Sequence, residues 1–310
     1  MNKRHVTTSL AALGALLLAG CSSGDDQSVA QDEQIQAVST FSILSDIVAE
    51  IGADHVKVHN IVPVGNDPHE YSATPEDTKA MSNADAYFYN GLNLEGGENG
   101  WAARMVESVG LEEDRVFETT EGVKPMYLTE EESDQSINPH AFLDPNVGII
   151  MAENVAAGLI DVDPDHAEEY KQNLEDYVQE LTEVDKRYQH EIGDLEEDRR
   201  VLVTSERAYQ YMADSYNLLE GYIWAVDTDD IGTPDQMISA IDFVNEHEPK
   251  ALFVESNVTP GPMETVSEET GVEIYATIFS DELASKGEPG DTYLGFLEEN
   301  LQEISEGLQQ

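Results

Sequence analysis

In residues 164–195 apolar side chains recur at steps of three and four: Tyr170, Leu174, Tyr177, Leu181, Val184 and Tyr188. No glycine or proline interrupts the run between Pro164 and Gly193. That period is one face of an α-helix, and Asp163-Pro164 is a suitable start for it. A helix of ~30 residues is ~45 Å long, about the span of a small protein. Such an element is a core helix, a coiled-coil arm or a rigid connector. Its position between two similar halves favours the connector.

Both halves alternate strand and helix. Before the long helix, residues 36–40, 56–62 and 86–90 read as short apolar strands. Residues 41–51 have helical spacing and end at Gly52. Thr74-Pro75-Glu76-Asp77 opens a helix with proline in its first turn. After Asp144-Pro145 a helix carries Val147, Ile150, Met151, Val155 and Leu159 on one face. Residues 118–136 are polar and acidic and read as a surface loop. In the second half, residues 200–204, 221–226, 251–255 and 273–277 read as strands. Helices are expected over 208–216, from Thr233-Pro234, and over 291–308. Alternation of this kind makes an α/β fold with parallel sheets covered by helices.

The N-terminal end carries Lys3, Arg4 and His5, then an apolar run from Leu10 to Leu18 that is too short to span a bilayer. Leu18-Ala19-Gly20-Cys21 resembles a bacterial lipobox. Residues 1–20 are therefore expected to be a lipoprotein signal, Cys21 the lipidated first residue, and 21–35 a flexible tether. An ordinary secretory signal with a chance cysteine is the alternative. Cys21 is the only cysteine, so no internal disulfide is available. The formal charge is −49, from 15 Lys+Arg against 64 Asp+Glu. Disorder is disfavoured by the 40% hydrophobic content and the periodic segments. A carboxylate-dense surface suited to high salt, where self-repulsion is screened, fits better. Such a surface repels nucleic acid, which is excluded as a partner.

Eight histidines are present. His5 lies in the signal, and His55 and His59 alternate with Val56 and Val58 and are expected to face solvent. His166, His190 and His247 lie among acids and read as surface residues. His69 and His140 differ, since each directly follows a proline. From chemistry alone each is as good a metal ligand as a structural residue. Among 64 acids, any one carboxylate is by default a solvated charge.

Six segments carry a resemblance to a known family. They are Asp67-Pro68-His69-Glu70-Tyr71, Pro139-His140-Ala141-Phe142-Leu143-Asp144-Pro145, Val203-Thr204-Ser205-Glu206, Gly232-Thr233-Pro234, Phe253-Val254-Glu255-Ser256 and Ile278-Phe279-Ser280-Asp281. With the lipobox, they resemble the metal-binding lipoproteins that feed ABC importers of manganese, zinc or iron (the cluster A-I, or cluster 9, solute-binding family). The resemblance implies two α/β lobes, 36–163 and 196–310, joined by one long rigid helix at 164–195. It also implies one divalent metal clamped between the lobes by His69, His140, Glu206 and Asp281, and delivery to a membrane permease by a monomeric, lipid-anchored carrier. A glutamate at position 206 and a histidine-free acidic loop resemble the manganese-type branch, which oxygen ligands also suit; Zn2+ and Fe2+ remain open. Arg207 departs from the small residue expected there. Turned inward it competes with the metal for Glu206; turned outward it pairs with surface carboxylates.

An exported metal-dependent hydrolase is the rival from another class. It needs an open coordination position and a general base. The chain has no His-Glu-x-x-His spacing, no Gly-x-Ser-x-Gly elbow and no spare cysteine nucleophile, so no enzymatic activity is expected.

Overall fold

The computed structural model describes residues 34–128, 137–226 and 232–310. The signal, Cys21, all but the last two residues of the tether, and residues 129–136 of the acidic loop lie outside the described residues.

The first strand, β1 (Ile35–Ser39), leads into α1 (Ser42–Gly52) and β2 (Val56–Asn60). Ile43, Leu44, Ile47, Val48 and Ile51 of α1 are all buried, which is the helical stripe seen in the sequence. Helix α2 (Pro75–Ser82) starts with a reciprocal cap: Thr74 Oγ1 accepts from Asp77 N–H, and the Asp77 carboxylate accepts from Thr74 N–H. Strand β3 (Ala86–Tyr89), α3 (Trp101–Val109) and β4 (Val116–Glu118) follow. The four strands pair in parallel in the order β2-β1-β3-β4. Strand β4 ends at Glu118, so the irregular segment starts one residue later than expected.

Helix α4 (Pro145–Val162) packs on α1, β3 and β4 and leads into the long helical stretch. That stretch is a 3-10 turn at Pro164–His166, then α5 (Ala167–Tyr188), then a π-turn at Gln189–Gly193. It stops at Gly193, short of Leu195. With 22 residues, α5 proper is ~33 Å long. Tyr170, Tyr177, Leu181, Val184 and Tyr188 are buried against neighbouring helices, and Leu174 is partly so. The helix is thus clamped by α4, α1 and α9 (Tyr293–Leu308) rather than standing free. Tyr188 O–H also donates to the Leu297 carbonyl at 2.8 Å.

The second half runs β5 (Val201–Glu206), α6 (Gln210–Ser215), β6 (Leu219–Trp224), α7 (Pro234–His247), β7 (Leu252–Glu255), α8 (Gly261–Thr270) and β8 (Ile274–Ile278). Helix α7 has the second capping box, from Thr233 and Gln236. Strands β5–β6 and β7–β8 pair in parallel, and β5 lies beside β7. Strand β6 sits two residues earlier than its expected position. Strand alternation sorts the core. Val201, Val203, Leu252 and Val254 join a cluster under α7 and α8, while Leu202 and Phe253 point into the main core. That main core runs through both halves, from Val38 on β1 to Leu308 on α9, and residues 33–310 form one unit. Among the described residues no helix is long and apolar enough to cross a membrane.

Two histidines depart from expectation. His55 and His59 do not simply face solvent. His55 stacks on His166 with centroids 3.8 Å apart, and its Nε2 lies 2.7 Å from Glu169. His59 Nε2 lies 2.9 Å from Asp77 Oδ1. Both sit at the sheet edge, where α2 and the start of α5 fold over the strand.

Candidate metal centre

His69 lies in the connection between β2 and α2. Its backbone N–H donates to Asp67 Oδ1 at 2.7 Å, which closes a tight turn around Pro68. From behind, Trp101 Nε1 donates to the Pro68 carbonyl at 2.8 Å, tying the turn to the start of α3. His140 leads the 3-10 turn Ala141–Leu143 ahead of α4 and is fully buried. Asn138 Oδ1 accepts from both the backbone N–H and Nδ1–H of His140, at 3.0 and 2.8 Å. With Nδ1 as donor, Nε2 keeps its lone pair and is directed to the site.

Glu206 ends β5 and Asp281 follows β8, so both carboxylates project from the carboxyl ends of parallel strands. Both are buried. Glu255, at the end of neighbouring β7, accepts the backbone N–H groups of Glu206 and Ser205 at 2.8 and 3.1 Å. Asn257 Nδ2 donates to Asp281 Oδ2 at 2.8 Å.

These elements bring the sequence candidates to one place. His69 Nε2 lies 3.2 Å from His140 Nε2. Asp281 Oδ1 is 3.3 Å from His140 Nε2, and Asp281 Oδ2 is 3.9 Å from His69 Nε2. Ligand atoms of His69, His140 and Asp281 all fall within 4.8 Å of one another. Glu206 is at the edge of this group: its Oε1 lies 3.6 Å from His140 Nε2, but it is not one of the three. Donor atoms ~3–4 Å apart are what a single ion with bonds of ~2.1 Å requires. Asp281 Oδ1 is buried and makes no hydrogen bond among the described residues, the condition of an atom ready for a cation.

Electrostatics agree with this geometry. Burial pushes the His69 pKa below its ordinary value, although Asp281 pulls the other way. The ring is therefore neutral at pH 7, as a ligand must be. Burial opposes ionisation of Asp281, but His140, His69 and the Asn257 amide outweigh it and hold the group below the usual carboxylate range.

Arg207 turns away from the centre. Its Nε donates to Glu220 Oε1 at 2.7 Å, Nη1 donates to the Leu128 carbonyl at 3.1 Å, and the guanidinium lies 5.2 Å from the Tyr222 ring centre. It is thus committed to β6 and to the segment entering the acidic loop. The supporting residues Asn138, Glu255 and Asn257 carried no role in the sequence analysis. Asn138 was the most accessible of them, two positions before a candidate histidine.

Residues 37–307 match the family model described as zinc-uptake complex component A, periplasmic. A manganese ABC transporter substrate-binding lipoprotein, ScaA of Streptococcus gordonii, is 41% identical over 292 residues, covering 94% of each chain. An iron ABC transporter substrate-binding lipoprotein, MtsA of Streptococcus pyogenes serotype M1, is 40% identical over 309 residues, covering 99% of each. The Mn-bound periplasmic metal-binding protein of Candidatus Liberibacter asiaticus superposes with a TM-score of 0.80 at 28% identity, covering 89% of this chain and all of that one. The chain belongs to this family of metal-binding, substrate-binding components of ABC importers, which are transport proteins and not enzymes.

Proposed function

We propose that the cargo is one Mn2+ ion held by His69, His140, Glu206 and Asp281. The observation that carries this reading is the convergence of two imidazole Nε2 atoms and a carboxylate, with His140 and Asp281 buried and His69 partly so. Glu206 beside His140 adds a second carboxylate, and two carboxylates neutralise a dication. Oxygen-rich sets favour harder ions such as Mn2+, and both the ScaA name and the Mn-bound neighbour point the same way. Capture needs no chemistry. The four side chains replace the ion's water shell, and acid releases the ion by protonating the imidazoles. The loaded carrier, made of lobes 36–163 and 196–310 about the 164–195 connector, docks on its permease as a monomer anchored through lipidated Cys21.

Zn2+ is the second reading. The three-residue group without Glu206 is a nitrogen-rich set that suits zinc. Fe2+ follows, from the name given to MtsA. The test is to strip the protein with chelator at low pH and titrate Mn2+, Zn2+ and Fe2+ separately while following thermal stability. One equivalent of Mn2+ should give a large, reversible stabilisation that is lost in Glu206→Ala and Asp281→Ala. Stabilisation by Zn2+ alone would move the assignment to zinc. A gradual response shared with Mg2+ and Na+ would mean that only the acidic surface binds.

A further inference from the structure

A second cavity lies in the N-terminal half, between α3 and the β3–β4 edge of the sheet. Its volume is about 540 Å³, in the usual range for a small-molecule site. Its apolar lining includes Tyr87, Tyr89, Leu92, Val106 and Val116. Tyr87 and Tyr89 alternate with Phe88 along β3 and so share one face of the sheet. Their rings lie nearly parallel, with centroids 6.0 Å apart and planes 12° apart.

The ionisable side chains around the cavity, tyrosines aside, are all acids. Glu95, Glu98, Glu107, Glu113 and Glu118 border the cavity, and among the described residues lining it there is no lysine, arginine or histidine. Glu95 is buried and is held by Thr40 Oγ1 at 2.8 Å and by the backbone N–H of Asn90 at 2.7 Å. Glu118 accepts from Tyr89 O–H at 3.2 Å. The Tyr87 hydroxyl differs. Tyr87 is 1% exposed, and its oxygen has no hydrogen-bond partner among the described residues. A buried hydroxyl left unpaired is costly. Burial and the nearby Glu95 keep it protonated, so it is a neutral donor.

We propose that this cavity is a second ligand site, for a small organic cation that also carries a neutral oxygen acceptor. Aromatic faces and carboxylates attract a soft, weakly hydrated cation such as a quaternary ammonium. The apolar side chains cover its methyl groups. The Tyr87 hydroxyl donates to the ligand's oxygen, which removes its buried deficit. An overall acidic surface attracts any cation, but it supplies neither the paired rings nor the unpaired hydroxyl. The site is separate from the metal centre, so it stands or falls independently of the metal reading.

The test is equilibrium dialysis of radiolabelled choline against the full-length protein at fixed ionic strength. The neutral isostere, with carbon in place of the quaternary nitrogen, is used as competitor. The expected result is saturable binding of one choline per chain, with the isostere about tenfold weaker. Ala103→Trp, which fills the cavity from α3, should abolish binding. Tyr87→Phe removes a single oxygen and should weaken binding about fivefold with the thermal midpoint retained. If Ala103→Trp does not fold, Tyr87→Phe carries the test. Non-saturable uptake, equal binding of the isostere, or choline binding unchanged in Tyr87→Phe would overturn the proposal.

Discussion

The two halves of the molecule bring different chemistry to the centre and hold it by different means. The N-terminal half offers imidazoles on loops, and each is oriented from close by in sequence. Asn138 fixes His140 from two positions away, and Asp67 fixes the His69 turn over the same separation. The C-terminal half offers carboxylates at strand ends, oriented from far away. Glu255 holds the Glu206 backbone across 49 positions, and Asn257 holds Asp281 across 24. The bonds that orient the imidazole segments directly thus come from two positions away, whereas those to the two carboxylate residues come from strands and loops packed from afar. A disturbed sheet should cost the charged half of the site first.

The largest test of this contrast is removal of a charged ligand. Asp281→Ala should weaken Mn2+ binding on the order of 100-fold or more, since even supporting residues of metal sites cost 10–100-fold. Isothermal titration would measure this. Glu206→Ala should cost less than Asp281→Ala, because Glu206 lies at the edge of the three-residue group, with its Oε1 3.6 Å from His140 Nε2. Equal losses would show that the four residues act as one shell.

Next is Glu255→Gln. The amide offers one acceptor where the carboxylate uses two, so one buried backbone N–H loses its partner. Stability should fall by about 1–3 kcal/mol in denaturant unfolding, and metal affinity should fall about tenfold as Glu206 loses its orientation. On the other side, Asn138→Ala should lower affinity by about tenfold while changing stability less. If Asn138→Ala destabilised the fold as much as Glu255→Gln, the contrast between local and long-range support would fail.

The pH response separates the metal-free and loaded proteins. Burial raises Glu95 and Glu255 to about 7 and Asp46 to about 6, above their unfolded values. Between those unfolded values and the folded ones, the native state holds protons that the unfolded chain has shed. Stability is therefore highest below the unfolded values and is lost as pH rises through 6 to 7. His69, lowered by burial, acts in the opposite sense below its unfolded pKa of ~6.5, against several raised carboxyls. The metal-free protein should thus melt higher near pH 5.5 than at pH 8, in scanning calorimetry. The stabilisation added by Mn2+ should shrink over the same descent, as protons compete for the imidazoles. A loaded protein whose advantage grows with acid would exclude histidine ligation.

The smallest effect is expected from Arg207→Ala. The guanidinium joins Glu220 to the segment entering the acidic loop and does not face the metal centre. Stability should drop by roughly 1–2 kcal/mol, since the pair is largely shielded and its loss leaves Glu220 uncompensated. Metal affinity should stay within about threefold of the parent, corresponding to less than ~0.7 kcal/mol. A larger change in affinity would make Arg207 part of the centre after all.

Much of the fold was legible because its signals are local. The stripe on α1, both capping boxes and the spacing along α5 are properties of a few adjacent residues, and each element appears where those residues stand. Strand β6 starts two positions before the expected one because Glu220 interrupts the apolar run and Leu219 is exposed, so both are placed by pairing with β5. His55 and His59 were misread because their partners, Glu169, His166 and Asp77, come from elements folded over the sheet edge.

The sequence by itself determined the alternation of strands and helices, the long central helix and the two histidine turns, because turn geometry and helical period depend on near neighbours. The tertiary structure decided the rest. It brought Asp281 within reach of His69 and His140, left Glu206 at the edge of that group, and placed Glu255 and Asn257 behind the two carboxylates. It also turned Arg207 outward and buried α5 against α4 rather than leaving it as a strut. Each of these outcomes depends on which surfaces meet when distant segments pack, and spacing along the chain carries no record of that.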